Sequence, residues 1–183
     1  MMKSKEKGLA DEKGMTRRRV LKVACCATAA ASVVALSDRA DAAISDVKTY
    51  PQVRIANLKD MPPGKTKEFD YPLIGRKNIL INVGCSVEGG IGPNRGIVAY
   101  SKFCTHLGCS LEFNKDNGML VCECHQGTYD PKQSGKVVEG PPPNNLPMIN
   151  LEIDNKTGDI YAVGVAGLIY GMRNNLLDGE VVR

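Results

Sequence analysis

Both histidines of the chain and four of its seven cysteines fall within one stretch of 22 residues. They form two short runs, Cys104-Thr105-His106-Leu107-Gly108-Cys109 and Cys122-Glu123-Cys124-His125. A fold that uses histidine twice, each time beside paired cysteines, must bring two loops together around a common centre. Six candidate ligands are too many for one tetrahedral zinc and too few for two. The spacing also differs from a zinc ribbon, which pairs C-x-x-C with C-x-x-C. Cys124 and His125 are neighbours, and in extended backbone adjacent side chains point to opposite sides. One of the two therefore has a job other than binding the shared centre. If that one is Cys124, the remainder divides into two Cys/His pairs, Cys104 with His106 and Cys122 with His125, and leaves Cys109 beside Cys124.

The flanking sequence consists of short β-type runs separated by turn signals. Ile79–Val83, Gly96–Tyr100, Met148–Ile153 and Ile160–Val165 are β-branched or alternating. Asp154–Asp159 reads as a hairpin loop, and Met61–Gly64 and Gly89–Asn94 as surface loops. No stretch keeps a helical period. The expectation is an all-β domain, a small antiparallel sandwich or open barrel. Cys85 is expected to be a buried thiol at a strand end.

The formal charge of +4 is carried by residues 1–42, which hold nine Lys/Arg and five Asp/Glu and leave 15 of each sign for 43–183. A neutral body with few aromatics excludes a nucleic-acid partner. Residues 1–42 have the layout of an export signal: Thr16-Arg17-Arg18-Arg19-Val20-Leu21-Lys22, an Ala-rich apolar stretch from Val23 to Leu36, and Ala40-Asp41-Ala42 as a small-x-small cleavage site before Ala43. The arginine pair resembles a twin-arginine signal, which implies a periplasmic mature domain, 43–183. The alternative is an uncleaved anchor, the only membrane contact foreseen, although the apolar stretch is about one turn short of a full span. Cys25 and Cys26 belong to this leader.

The run C-T-H-L-G-C followed by C-x-C-H closely resembles the Rieske family of [2Fe–2S] proteins. The resemblance implies a β-sandwich or open-barrel base with a small subdomain of loops and short strands at about 101–147, and in it one Rieske-type [2Fe–2S] cluster, with Cys104 and Cys122 on one iron and His106 and His125 on the other. It also implies a disulfide between Cys109 and Cys124, in keeping with export to an oxidising compartment. Imidazole ligation places such centres at about −150 to +300 mV. The high-potential branch usually carries a Ser two residues after the second His, which hydrogen-bonds a bridging sulfide, and a Tyr four residues after it, which bonds a ligand sulfur. Here Tyr129 is present and Gly127 replaces the Ser, so a lower potential is expected, raised again by Gly127→Ser. Gly140-Pro141-Pro142-Pro143 resembles the family's shielding loop, and Leu107 reads as a cap over the cluster.

Phe69-Asp70-Tyr71-Pro72, Gly96–Ser101 and Ala162–Gly171 resemble the small subunit of bacterial arsenite oxidase, over about Tyr50 to Asn175. This implies the electron-transfer subunit of an oxidoreductase, with no substrate-converting site of its own. A large molybdopterin-containing subunit would oxidise arsenite to arsenate, and a periplasmic cytochrome c or small copper protein would accept the electrons. Two alternatives share the motifs: the small subunit of a related molybdenum complex such as iodate reductase, and the Rieske subunit of a quinol–cytochrome c oxidoreductase.

Overall fold

The computed structural model describes residues 49–183; the leader, with its arginine pair and Cys25 and Cys26, lies outside the described residues. Among the described residues, ten strands form two antiparallel sheets. The base sheet contains β1 (Val53–Asn57), β2 (Thr66–Asp70), β3 (Lys77–Asn82), β4 (Ile97–Ser101), β9 (Met148–Ile153) and β10 (Asp159–Ala166), in the order β1-β10-β9-β4-β3-β2. The smaller sheet is a meander of β5 (Glu112–Asn114), β6 (Met119–Cys122), β7 (Gly127–Asp130) and β8 (Lys136–Glu139), inserted between β4 and β9. The fold is all-β, as the turn-punctuated sequence requires. Among the described residues no helix is long and apolar enough to cross a membrane.

The run Ile79-Leu80-Ile81 of β3 and all of β4 are buried, because both of their faces are covered. Alternate residues point to opposite sides. Leu80, Ile97 and Ala99 join Val53, Ile55, Ile149, Ile160 and Ala162 in the base core. Ile79, Ile81, Val98 and Tyr100 enter a second core with Leu111, Leu120, Tyr129 and Leu146, and with Cys104 and Cys122. The two thiols therefore sit on the same apolar floor that joins the smaller sheet to the base. The Tyr100 hydroxyl donates to the Pro131 carbonyl at 2.9 Å, so this deep phenol ties β4 to the turn between β7 and β8.

Lys102 adds a polar brace between the sheets. Its buried Nζ lies 2.5 Å from Glu68 of β2 and 3.1 Å from Glu112 of β5. Burial works to lower its pKa, but the hydrogen bonds it donates to the two carboxylates outweigh burial and raise the pKa. The brace stays charged through the neutral range.

One expectation is corrected. Cys85 is exposed rather than buried. β3 stops at Asn82, whose Nδ2 donates to the Met61 carbonyl at 2.7 Å and whose Oδ1 accepts the Gly84 N–H at 3.0 Å. Gly84 then turns the chain outward through φ +77°, carrying Cys85 away from the core.

Candidate metal centre

The first loop leaves β4 and folds back immediately. The Cys104 N–H donates to the Cys109 carbonyl at 2.9 Å, and the Gly108 N–H to the Cys104 carbonyl at 2.9 Å. Gly108, at φ +77°, makes this turn possible, and the Tyr170 ring lies where its Cβ would be. The second loop is the turn between β6 and β7, with Gln126 in the left-handed region at φ 58°. A disulfide between Cys109 and Cys124 ties the two loops together.

The four remaining Cys and His side chains lie on these two loops. Cys104 and Cys122 are 2% and 1% exposed and belong to the same buried core cluster. His125 is exposed and His106 half-buried, with ring centroids 4.8 Å apart in an edge-to-face arrangement. The thiol side of the site faces the core and the imidazole side faces solvent. The sulfurs of Cys109, Cys122 and Cys124 also lie within 4.8 Å of one another, but two of them are consumed in the disulfide. That trio is not a ligand set.

Three features fit this site to an iron–sulfur cluster. His106 Nδ1 is buried with no hydrogen-bond partner, an orphan that costs energy unless it meets a ligand. Burial pushes the Cys122 thiol pKa up, yet the backbone N–H groups of Cys124 and His125 favour its thiolate. A bound cation deprotonates such thiols outright. Mixed ligation by two thiolates and two imidazoles is also the donor set of a Rieske centre.

Tyr129 stands at the centre of the supporting network. Its hydroxyl lies 3.2 Å from Cys104 Sγ and accepts the Thr105 N–H at 3.0 Å. Thr105 Oγ1 must donate to the Asn144 carbonyl at 2.6 Å, since a carbonyl only accepts. Tyr129 thus keeps its own proton to give, and a charged sulfur is a stronger acceptor than the Thr105 oxygen 3.0 Å away. Burial, reinforced by Cys104, pushes the phenol pKa up to about 12, so the donor stays protonated at neutral pH. Tyr129→Phe is expected to lower the midpoint potential by on the order of 60 mV, taking about 1.5 kcal/mol for the lost bond and about 59 mV per tenfold. A redox titration followed by visible absorbance measures it.

Pro142 is buried against Gly127, whereas Pro141 is exposed and Leu107 is 57% exposed at the tip. Thr105 and Asn144 were not singled out in the sequence. The threonine is visible within C-T-H-L-G-C, but its partner lies 39 residues on, beyond any local pattern.

Comparison with known proteins agrees with this geometry. Residues 52–150 match the Rieske [2Fe-2S] domain family. Iodate reductase subunit IdrB of Denitromonas iodatirespirans is 38% identical over 148 residues, 79% of this chain and 79% of that one. Iodate reductase subunit IdrB of Pseudomonas sp. (strain SCT) is 35% identical over 160 residues, 86% of this chain and 82% of that one. The crystal structure of the soluble domain of the Rieske protein II (soxF) from Sulfolobus acidocaldarius superposes with a TM-score of 0.59 at 28% identity, covering 68% of this chain and 82% of that one.

Proposed function

The chain belongs to the Rieske [2Fe-2S] domain family, and from that premise we propose that it is the electron-relay subunit of an exported oxyanion oxidoreductase whose catalytic subunit is a large molybdopterin protein. The observation that carries this reading is the similarity to two iodate reductase subunits along most of both chains, well beyond residues 52–150. Iodate is accordingly the leading substrate of the whole complex. Arsenite is the second reading, carried by the segments Phe69–Pro72, Gly96–Ser101 and Ala162–Gly171. Electrons would reach the catalytic subunit from a cytochrome c or small copper protein in the first case and leave toward it in the second.

The bound cluster supplies one-electron chemistry at a potential raised by its imidazole ligands. The chain's own residues prepare the place for it. Cys104 and Cys122 would hold the buried iron, and His106 and His125 the iron at the surface. Tyr129 donates toward Cys104 Sγ, and the Thr105–Asn144 bond pins the proline loop to the first ligand loop. The disulfide fixes the distance between the two loops. Exposed Leu107, Leu168 and Tyr170 supply apolar surface suited to a partner protein.

Twin-arginine export of the leader would deliver the folded, cluster-loaded protein to the periplasm. The test is coexpression with the large molybdopterin subunit, copurification, and assay in both directions. Iodate-dependent oxidation of a reduced cytochrome c supports the first reading, and arsenite-dependent reduction of an oxidised one supports the second. Absence of any complex with a molybdopterin subunit, together with membrane retention beside a cytochrome b, would overturn both.

A further inference from the structure

Gly127 opens β7 directly beside Cys104. A Cβ built on it would lie 3.6 Å from Cys104 Sγ, but only 2.7 Å from Pro142 Cγ and 3.3 Å from Pro142 Cδ. The backbone of Gly127 is not in the left-handed region, so its conformation alone accepts any side chain. What forbids one is the proline ring. Gly140 differs, because its positive φ and its closeness to backbone atoms both demand glycine.

We infer that Pro142 fills the volume of a side chain at position 127, so that Gly127 and Pro142 act as one potential-setting pair. Where a side chain at position 127 would stand beside the Cys104 sulfur, the protein presents a proline C–H surface with neither an O–H nor an N–H to donate, which leaves the Tyr129 hydroxyl as the donor on this sulfur. Proline carries no amide hydrogen, and its ring displaces water from the same spot. Reduction adds negative charge to the cluster, and donors aimed at its sulfurs stabilise that state preferentially. A pair that removes the donor and excludes water therefore holds the potential down. Gly127→Ser on its own therefore meets an obstacle that the sequence does not show, because a Ser Cβ 2.7 Å from a proline carbon forces the loop to move. The inference rests on the Rieske cluster and is independent of which oxyanion the complex handles.

The test compares Gly127→Ser, Gly127→Ala, Pro142→Ala, Gly127→Ala/Pro142→Ala and Gly127→Ser/Pro142→Ala in the full chain. The readouts are redox titration, electron paramagnetic resonance and thermal unfolding. The Ser/Ala double variant is expected to favour the reduced form by tenfold or more, about 59 mV for a one-electron couple. The Ala/Ala variant is expected to keep the parent potential while regaining the stability that Gly127→Ala loses on its own. Gly127→Ser is expected to unfold earlier than the parent and to shift the potential less than the double variant. The inference is overturned if Gly127→Ser alone gives the full rise, if the Ser/Ala variant leaves the potential unchanged, or if the stability effects of the two positions simply add. A parent protein without the Rieske signal would instead defeat the family reading, which separates the two failures.

Discussion

Gly140→Ala is expected to prevent stable cluster loading while leaving the base sheet folded. Gly140 stands at φ +86°, and an added Cβ would meet the Gln126 carbonyl oxygen at 2.7 Å, Gly127 Cα at 2.8 Å and the Gln126 carbonyl carbon at 3.0 Å. All three are backbone atoms, so no rotamer change relieves the overlap. Left-handed strain and overpacking each cost about 1–3 kcal/mol, giving on the order of 3 kcal/mol or more together. The strand start that must yield carries Gly127, and the preceding residues carry the ligand His125. The base core draws on β1, β3, β4, β9 and β10 and contains none of these residues. Iron content per chain and visible absorbance report the loading, and thermal unfolding reports the base. Gly171→Ala is the control: it has similar strain at φ +77° with nothing within 4 Å, and should load normally. Equal loading in the two variants would refute the backbone-on-backbone account of the proline loop.

Removing the disulfide is the second large perturbation. Cys109 and Cys124 are separated by 15 residues, and closing a loop of that length is worth about 3 kcal/mol in the chain-entropy treatment. The ligand loops have few other ties. Beyond the cross-link they depend on the Cys104–Cys109 turn, the Tyr129 network and the packing of Tyr170 on Gly108. The Cys109→Ser/Cys124→Ser double variant is therefore expected to bleach well below the temperature at which the base sheet unfolds. In the parent the two events should lie close together. Parallel melts recorded by visible absorbance and far-ultraviolet circular dichroism measure the gap. No widening of that gap would show that the disulfide is not what holds the two loops in register.

The metal centre was legible because chemistry restricts it severely. Few arrangements use two histidines and four cysteines at these spacings, and adjacent Cys124 and His125 cannot serve one purpose. The base strands were legible from period-two patterning and turn residues, since β3 and β4 alternate between two apolar floors and β9 and β10 send Ile149, Ile160 and Ala162 into the base core. Other features depended on contacts that no local pattern encodes. Asn82 ends its strand by bonding Met61, 21 residues away, and so exposes Cys85. Thr105 becomes a fixed donor only because Asn144 presents a carbonyl to it. The exclusion of a side chain at Gly127 comes from a proline 15 positions later, across the bulge between Thr128 and Tyr129 where β7 meets β8. Sequence spacing identifies the candidate ligands, but the groups that tune them are set by tertiary packing.

The central claim is that two thiolates and two imidazoles from this tip hold one [2Fe–2S] cluster. The most direct measurement is electron–nuclear double resonance on the reduced, purified protein, with histidine nitrogens labelled. The account predicts coupling to two distinct imidazole nitrogens, each lost on substitution of His106 or His125 in turn. A signal without nitrogen coupling, as from a cysteine-only cluster, or a colourless zinc-containing protein, would contradict it.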